Sequence, residues 1–270
     1  SVSLFMRHSN IPAPHTIYQD CWKLLPSSVL TVNSKTLETR SFPAPHFYWS
    51  ASECAQRSLS RPVKRSSTEL AEELNAILKE AVNDCMVSDA PLGAFLSGGI
   101  DSSIVVALMQ EQSQHPVSTF SIGFTNASYN EAVNAALVAE HLGTDHTELY
   151  VTPQEAQAVI PKLPVIFSEP FADSSQIPTT LVSSITKQDV TVALSGDGGD
   201  EFFGGYNRHF RVPQVYSYFN KIPKISRLPL AKLIGYVNRR APFLIKLLTV
   251  SEGIAPLVIH DFIFSSQIFV

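Results

Sequence analysis

Two short runs of the chain carry residue types and spacings suited to chemistry. The first is Ser97-Gly98-Gly99-Ile100-Asp101-Ser102-Ser103. Its two glycines let the backbone turn tightly and present N–H groups with no Cβ in the way. A helical pattern follows at once, and a helix N-terminus adds N–H donors without intrahelical partners and a partial positive charge. Ser97, Ser102 and Ser103 add hydroxyls, and the whole makes a cradle for phosphate. Asp101 would repel that phosphate unless a cation lay between them. A hard divalent ion such as Mg²⁺, sharing phosphate oxygens, removes the conflict. The plainer alternative is a tight strand–helix turn with Asp101 as an N-terminal cap.

The second run is Leu194-Ser195-Gly196-Asp197-Gly198-Gly199-Asp200-Glu201-Phe202-Phe203-Gly204-Gly205-Tyr206. A glycine-rich turn holding this much negative charge is costly without a bound cation or substrate. The alternative is a flexible acidic surface loop. Against it stand the apolar stretch Val190–Leu194 and the pair Phe202–Phe203, which should pin the loop from both sides. Neither run is a Walker A loop, since no Gly-Lys-Ser/Thr follows, and neither is a GxGxxG dinucleotide loop.

The elements that must position these runs are legible in the periodicity. Ser66-x-x-Glu69 predicts a capping box. Leu70, Leu74, Ile77, Leu78, Ala81 and Cys85 then recur at helical spacing. Pro91–Leu96 is short and almost wholly apolar, as in a strand covered on both faces. Ser102–Gln112 reads as a helix, Val117–Phe124 as a strand, and Asn130–Leu142 as a helix stopped by Gly143. His146–Val151 is a third strand. Pro153–Val165 and 174–187 are helical, and Val190–Leu194 is a fourth strand. This alternation predicts an α/β fold, with a parallel sheet, right-handed crossovers and helices on both faces. Ligands in such sheets bind at the carboxyl ends of the strands, where the strand order reverses. Both runs follow strands. If they flank that reversal, Asp101 and Asp200 face one Mg²⁺–pyrophosphate from two sides.

Residues 1–50 show short β-type patterns at Thr16–Tyr18, Ser28–Val32 and Thr36–Thr39, and residues 51–65 read as a linker. Residues 66–212 form the α/β domain. Residues 213–270 form a helical extension, with patches at Leu230–Val237 and Phe243–Val250.

Composition narrows the function classes. Of 270 residues, 44% are apolar and 16% charged, which excludes a disordered chain. A net charge of -4 argues against a nucleic-acid partner. No apolar run approaches the ~18 residues needed to cross a bilayer. The start shows no signal-peptide pattern. Cys21, Cys54 and Cys85 form no CxxC pair, so the expected state is reduced thiols in a cytoplasmic protein. The eight histidines show no HExxH spacing. Tyr216, Tyr218 and Phe219 read as core or interface, and Arg239-Arg240 as a solvated pair. The first residue is Ser1 and the last are Ile268-Phe269-Val270, which suggests a piece of a longer protein.

Ser-Gly-Gly-x-Asp-Ser resembles the PP-loop of the ATP pyrophosphatases, which cleave ATP to AMP and pyrophosphate. With both runs present in this order, residues 66–210 resemble the synthetase domain of glutamine-hydrolysing asparagine synthase. Further matching text is Ser88-Asp89-Ala90-Pro91-Leu92-Gly93, Thr119-Phe120-Ser121-Ile122-Gly123-Phe124, His141-Leu142-Gly143-Thr144-Asp145-His146 and Glu169-Pro170-Phe171-Ala172-Asp173-Ser174-Ser175. Ile11-Pro12-Ala13-Pro14-His15-Thr16-Ile17-Tyr18 and Lys23-Leu24-Leu25-Pro26 resemble the end of that family's glutaminase domain. The resemblance spans most of residues 5–210.

The resemblance implies a PP-loop fold, ATP as substrate and Mg²⁺. It implies adenylation of aspartate to β-aspartyl-AMP, and displacement of AMP by ammonia to give asparagine. Ser97, Gly98, Gly99, Asp101, Ser102 and Ser103 would bind pyrophosphate, with Asp101 and Asp200 on the metal. Leu96 and Ile122 would contact adenosine, and Ser195 and Gly196 would contact AMP. Asp197 would stand where the family has an acidic residue, often Glu, and a carboxylate there can take a proton from ammonium.

Departures limit this reading. Residue 1 is Ser rather than the family's N-terminal Cys nucleophile, so glutamine hydrolysis is not expected. The ammonia would come from a glutaminase domain absent here. Pro26-Ser27-Ser28 replaces a Pro-Pro-Gly or Pro-Ala-Gly turn, and Asn130-Glu131 replaces an Asp-Glu pair. The family's later pyrophosphate lysine has no match, and Lys221, Lys224, Lys232 and Lys246 qualify by residue type alone. Three functions stay open: asparagine synthesis, the same ATP chemistry on another carboxylic acid, and an inactive fragment. A homodimer is one arrangement to test.

Overall fold

The computed structural model describes residues 1–39, 42–124, 130–220 and 223. The N-terminal stretch forms α1 (Val2–His8), β1 (Ser28–Val29), α2 (Ser34–Thr39), β2 (His46–Phe47) and α3 (Ala51–Ser60). The next elements are α4 (Ser67–Met86), β3 (Leu92–Phe95), α5 (Ile100–Gln112), β4 (Ser118–Phe124), α6 (Ala132–Leu142) and β5 (Asp145–Val151). After these come α7 (Pro153–Val159), a 3-10 turn at Ile160–Lys162, α8 (Leu163–Ile166), α9 (Gln176–Asp189) and β6 (Val192–Leu194). The chain divides into two compact units between Asp197 and Gly198. The second holds α10 (Gly199–Phe203) and α11 (Asn207–Asn220).

The capping box at α4 is present: the Glu69 N–H donates to Ser66 Oγ at 3.3 Å, and the Ser66 N–H donates to Glu69 Oε2 at 2.9 Å. That carboxyl sits below its usual range, because the Ser66 hydroxyl and N–H both bond its charged form. Three expectations near the N-terminus fail. Residues 51–65 are not all linker, because Ser50 caps α3 by accepting the Glu53 N–H at 3.3 Å. The helix buries no residue, so no apolar stripe announced it. Thr36–Thr39 is helical rather than β-like, since Asn33 Oδ1 accepts from both the N–H and the hydroxyl of Thr36, at 2.9 and 2.8 Å. Thr16–Tyr18 is not a strand either. The Thr16 hydroxyl lies 3.0 Å from the carbonyls of both Tyr18 and Cys21, which curls the chain. The patches at Leu230–Val237 and Phe243–Val250 lie outside the described residues.

The main sheet has the order β5-β4-β3-β6, and every pairing is parallel. Ala94 of central β3 stands level with Thr119 on one side and Leu194 on the other. Its two faces are both covered, which explains the unbroken apolar run. On one face Ala94 and Leu96 pack with Val82 of α4, Val106 and Met109 of α5, and Ala135 and Ala139 of α6. On the other, Phe120, Phe95 and Ile122 meet Val190 and Val182 of α9. Each large side chain buried this way contributes about 1.5–3 kcal/mol.

One polar cluster interrupts the first face. His146 Nδ1 lies 2.8 Å from Thr119 Oγ1, and its Nε2 lies 3.2 Å from Ser121 Oγ. Thr119 Oγ1 also meets Thr144 Oγ1 at 2.9 Å. Thr119 is fully buried and Ser121 nearly so, and these partners satisfy them. Partial burial pushes the His146 imidazole below its ordinary pKa, against a weaker upward pull from Glu148.

Candidate active site

The strand order turns back at β3. The chain steps outward from β3 through β4 to β5, then crosses to β6 on the other side of β3. The carboxyl ends of β3 and β6 are therefore neighbours at the reversal, and the two glycine-rich runs begin there. Ile122 lies toward the carboxyl end of β4, on the Phe120 face.

The first run starts from a rigid base. Leu96 is buried, and its N–H donates to Phe120 O at 2.9 Å, which prolongs the ladder to the edge of the loop. Gly98 then turns with φ +75°. A Cβ at Gly98 would stand 2.7 Å from backbone atoms of Asn134 and Ala135, so the loop is pressed on the first turn of α6. Gly99 is the N-cap of α5 and offers no side chain to its N–H groups. The Ser103 N–H reaches Gly99 O at 3.1 Å, and the N–H groups of Ile100, Asp101 and Ser102 precede that first helical bond. These are the donors the cradle offers.

The serine hydroxyls are arranged differently from a simple fan of donors. Ser97 Oγ and Ser102 Oγ lie 2.9 Å apart, and Ser97 Oγ accepts the Gly99 N–H at 3.2 Å. Ser102 is buried and accepts the Ser97 N–H at 3.2 Å. The Ser103 hydroxyl donates to Gly99 O at 2.7 Å. In this state the hydroxyls brace the loop.

The second run reaches the first through Gly196. A Cβ there would stand 2.7 Å from Ser102 N and 2.9 Å from the Asp101 carbonyl carbon. Only a glycine lets the β6 loop approach the start of α5 this closely. Next to it the Ser195 hydroxyl donates to Asp197 Oδ2 at 3.1 Å, and the Asp197 N–H returns to Ser195 Oγ at 3.4 Å. Asp197 is thereby oriented while remaining exposed. The structure thus brings together Leu96, Ser97, Gly98, Gly99, Asp101, Ser102, Ser103, Ser195, Gly196 and Asp197 at one sheet edge that Ile122 shares.

Within the second unit, Asp200 lies in the first turn of α10, and Gly205 packs on its side chain. Tyr206 Oη donates to Glu201 Oε1 at 2.6 Å. Phe202 and Phe203 do not pin the loop as expected. Both are exposed, and the apolar anchorage comes from the strand side, through buried Val190. Lys221, Lys224, Lys232 and Lys246 lie outside the described residues. Asn130, which stands in place of an acid, has its Oδ1 accepting the Ala132 N–H at 3.3 Å at the start of α6.

A divalent ion fits the donor set in a limited way. Among the described residues no cluster of three His, Cys, Asp or Glu side chains exists. Asp101, half-buried beside the phosphate-type donors, suits an ion that takes its other ligands from phosphate and water, as Mg²⁺ does.

Sequence reasoning missed the Asn134–Ala135 contact with Gly98. Its one visible sign was the second-position glycine itself. It also missed the bonds that tie residues 9–23 to the segment around Glu169. No helix among the described residues is long and apolar enough to cross a membrane.

Comparison with known proteins finds relatives of the chain. The family model for asparagine synthase matches residues 73–253. The chain is 36% identical over 234 residues to the putative asparagine synthetase [glutamine-hydrolyzing] 2 of Methanocaldococcus jannaschii, covering 86% of this chain and 43% of that protein. It is 35% identical over 221 residues to asparagine synthetase [glutamine-hydrolyzing] 1 of Bacillus subtilis, covering 81% of this chain and 32% of that protein. The chain therefore spans less than half the length of either relative. Among solved structures, NMN synthetase from Francisella tularensis aligns with a TM-score of 0.36 and 17% identity, over 54% of this chain and 61% of that one.

Proposed function

The chain belongs to the asparagine synthase family, and on that premise we propose that its sheet-edge site activates a carboxylic acid with ATP for amide formation, with aspartate as the acid. The observation that carries the proposal is the meeting of the two runs: Gly196 lies against the first turn of α5, beside the N–H groups of Ile100, Asp101 and Ser102. That juxtaposition gives phosphate donors and an oriented carboxylate one common edge.

The N–H groups of Ile100, Asp101 and Ser102, with the α5 dipole behind them, hold the β- and γ-phosphates. Leu96 and Ile122 offer apolar contact to adenosine, and Ser195 and Gly196 lie alongside the AMP moiety. Asp101 would hold Mg²⁺, and Asp200 would serve as a second metal carboxylate on the ground of its sequence motif alone. The ion would neutralise charge on the departing pyrophosphate. One oxygen of the substrate carboxylate attacks the α-phosphorus, and the bond to the bridging oxygen breaks to release pyrophosphate. Ammonia then attacks the acyl carbon, and the carbon–oxygen bond breaks to release AMP. Asp197, steered by Ser195, accepts the proton that ammonium must lose. The ammonia would be supplied by glutamine hydrolysis at a separate site.

The test is AMP production from Mg-ATP, ammonium chloride and L-aspartate, with Asp101→Asn and a blank without aspartate as controls. AMP that requires both aspartate and Asp101, with at least a hundredfold loss in the variant, supports the proposal. AMP formed without dependence on aspartate redirects the site to another acid. No Mg-ATP binding would refute the phosphate cradle itself.

A further inference from the structure

Residues 9–23 lie outside the span that the family model matches, yet they are bonded to a loop inside it. The Ile17 N–H donates to Glu169 Oε1 at 2.9 Å, and Lys23 Nζ pairs with Glu169 Oε2. Lys23 Nζ also donates to Ile11 O at 2.7 Å, and the Lys23 N–H donates to Pro14 O at 3.0 Å. Tyr18 Oη donates to Ser168 O at 2.8 Å, and the Ala172 N–H donates to Ser9 O at 2.6 Å. Ile11 is buried at 4% exposure and gives the segment its apolar anchor. The Glu169 carboxyl sits below its usual range, chiefly because Lys23 bonds its charged form. Four separate bonds over some 150 positions of sequence mark a built junction rather than a chance surface pair.

The loop so held sits at a meaningful place. It runs from Ser168 to Ser175 and ends at the N-cap of α9. Its own bonds lock it onto that helix: the Ser175 N–H donates to Asp173 Oδ1 at 2.8 Å, and Gln176 Nε2 donates to Phe171 O at 2.7 Å. The C-terminus of α9 leads directly into the start of β6, so its N-terminus lies toward the carboxyl edge of the sheet. Val182 of α9 packs on Phe120, with Ile122 on the same face. The cradle and the β6 loop take the ends of β3 and β6. The Ser168–Ser175 loop, at the N-terminus of α9, is thereby directed toward that edge on the face that carries Ile122.

We propose that the Lys23–Glu169 clasp, with its Tyr18 and Ser9 flanks, fixes the Ser168–Ser175 loop beside the nucleotide cradle and so sets the fit of the carboxylic acid substrate. Lys23 and Glu169 are then positioning residues, and the nucleotide is held independently of them. The part concerning the acid rests on the function proposed above.

Two measurements on the full 270-residue chain test it, using Lys23→Met, Glu169→Gln, Lys23→Arg and the exchanged pair Lys23→Glu with Glu169→Lys. The first is amide hydrogen exchange. Lys23→Met and Glu169→Gln should speed exchange across 172–180 about tenfold and leave 103–112 unchanged, while Lys23→Arg stays close to wild type. Unchanged exchange at 172–180, or faster exchange everywhere, overturns the clasp. The second is kinetic. Lys23→Met and Glu169→Gln should raise KM for the acid at least fivefold with the Kd for Mg-ATP within twofold, and the exchanged pair should recover most of the loss. Equal loss of acid and Mg-ATP binding, or no change in KM, overturns the positioning role. If wild type forms no AMP with any acid, the part concerning the acid falls with the function reading, and exchange alone decides the clasp.

Discussion

At the scale of single residues, the site depends on two glycines, Gly98 and Gly196, that make room for a neighbour's backbone, and Gly143 supplies the contrast. Gly98 and Gly143 show why space matters beyond conformation. Both have φ near +70°, at 75° and 69°, so an alanine strains either one by about 1 kcal/mol. The Cβ of Gly143→Ala meets nothing within 4 Å, whereas that of Gly98→Ala meets Asn134 and Ala135 backbone at 2.7 Å. Backbone cannot rotate aside as a side chain can, so the loop or α6 must move. Gly143→Ala should lower stability by about 1 kcal/mol and leave Mg-ATP affinity unchanged. Gly98→Ala should cost about 2–4 kcal/mol and weaken Mg-ATP binding more than tenfold. Denaturant titration and calorimetry on the pair check this. Equal effects on Mg-ATP would mean that the contact with α6 does not shape the cradle.

At the scale of elements, the β4–β5 pair is tied by hydroxyls and one imidazole rather than by apolar packing alone. Partial burial lowers the pKa of His146 from the ordinary 6.5 in the fold. The unfolded chain therefore binds a proton more readily than the folded one. The stability that His146 confers is whole above its unfolded pKa and drains away as pH falls from there to the folded value. The melting temperature should fall between about pH 7 and pH 5, and His146→Asn should flatten that part of the curve. The depressed carboxyls Glu69, Glu155 and Glu169 act in a lower window, below their ordinary 4.5, so the two contributions separate along the pH axis. A slope unchanged in His146→Asn would remove the imidazole from the account. Strand β3 was legible in the sequence because both its faces are covered by packed side chains, which forces a continuous apolar run. The helix α3 was not, because it buries nothing and is started by Ser50 alone. The chemistry-bearing residues were legible from type and spacing. Their contacts were not, because Asn134 and Ala135 meet Gly98, and Glu169 meets Ile17 and Lys23, through the course of the chain in space, which no local pattern encodes.

At the scale of the whole molecule, the N-terminal stretch lies in one compact unit with the sheet but buries few of its own side chains. Of the described residues before Ser66, only Ile11 and Thr36 are buried. Trp22, Phe47, Tyr48 and Trp49 stay exposed, so no broad apolar interface glues the stretch down. The junction is the polar clasp at Glu169, and a partly exposed ion pair contributes only about 0–1 kcal/mol. Such a contact holds within one chain because covalent linkage supplies an effective concentration in the millimolar range. Between separate pieces that advantage is lost, and an ion pair of this strength does not hold them together on dilution. The coil between Arg61 and Ser66 is exposed and is the place to cut. A specific protease site introduced there should yield two pieces that separate on gel filtration at about 10 μM, where dilution has removed the linkage advantage. The larger piece should then show the fast exchange at 172–180 expected of Lys23→Met, while its exchange at 103–112 stays slow. Restoring the smaller piece at about millimolar concentration should bring the protection back. Co-elution at 10 μM would mean that the stretch adheres through contacts beyond the clasp. The exchange experiment would then have to be repeated on that joined pair with Glu169→Gln, where persistence of protection would assign the loop's position to those other contacts.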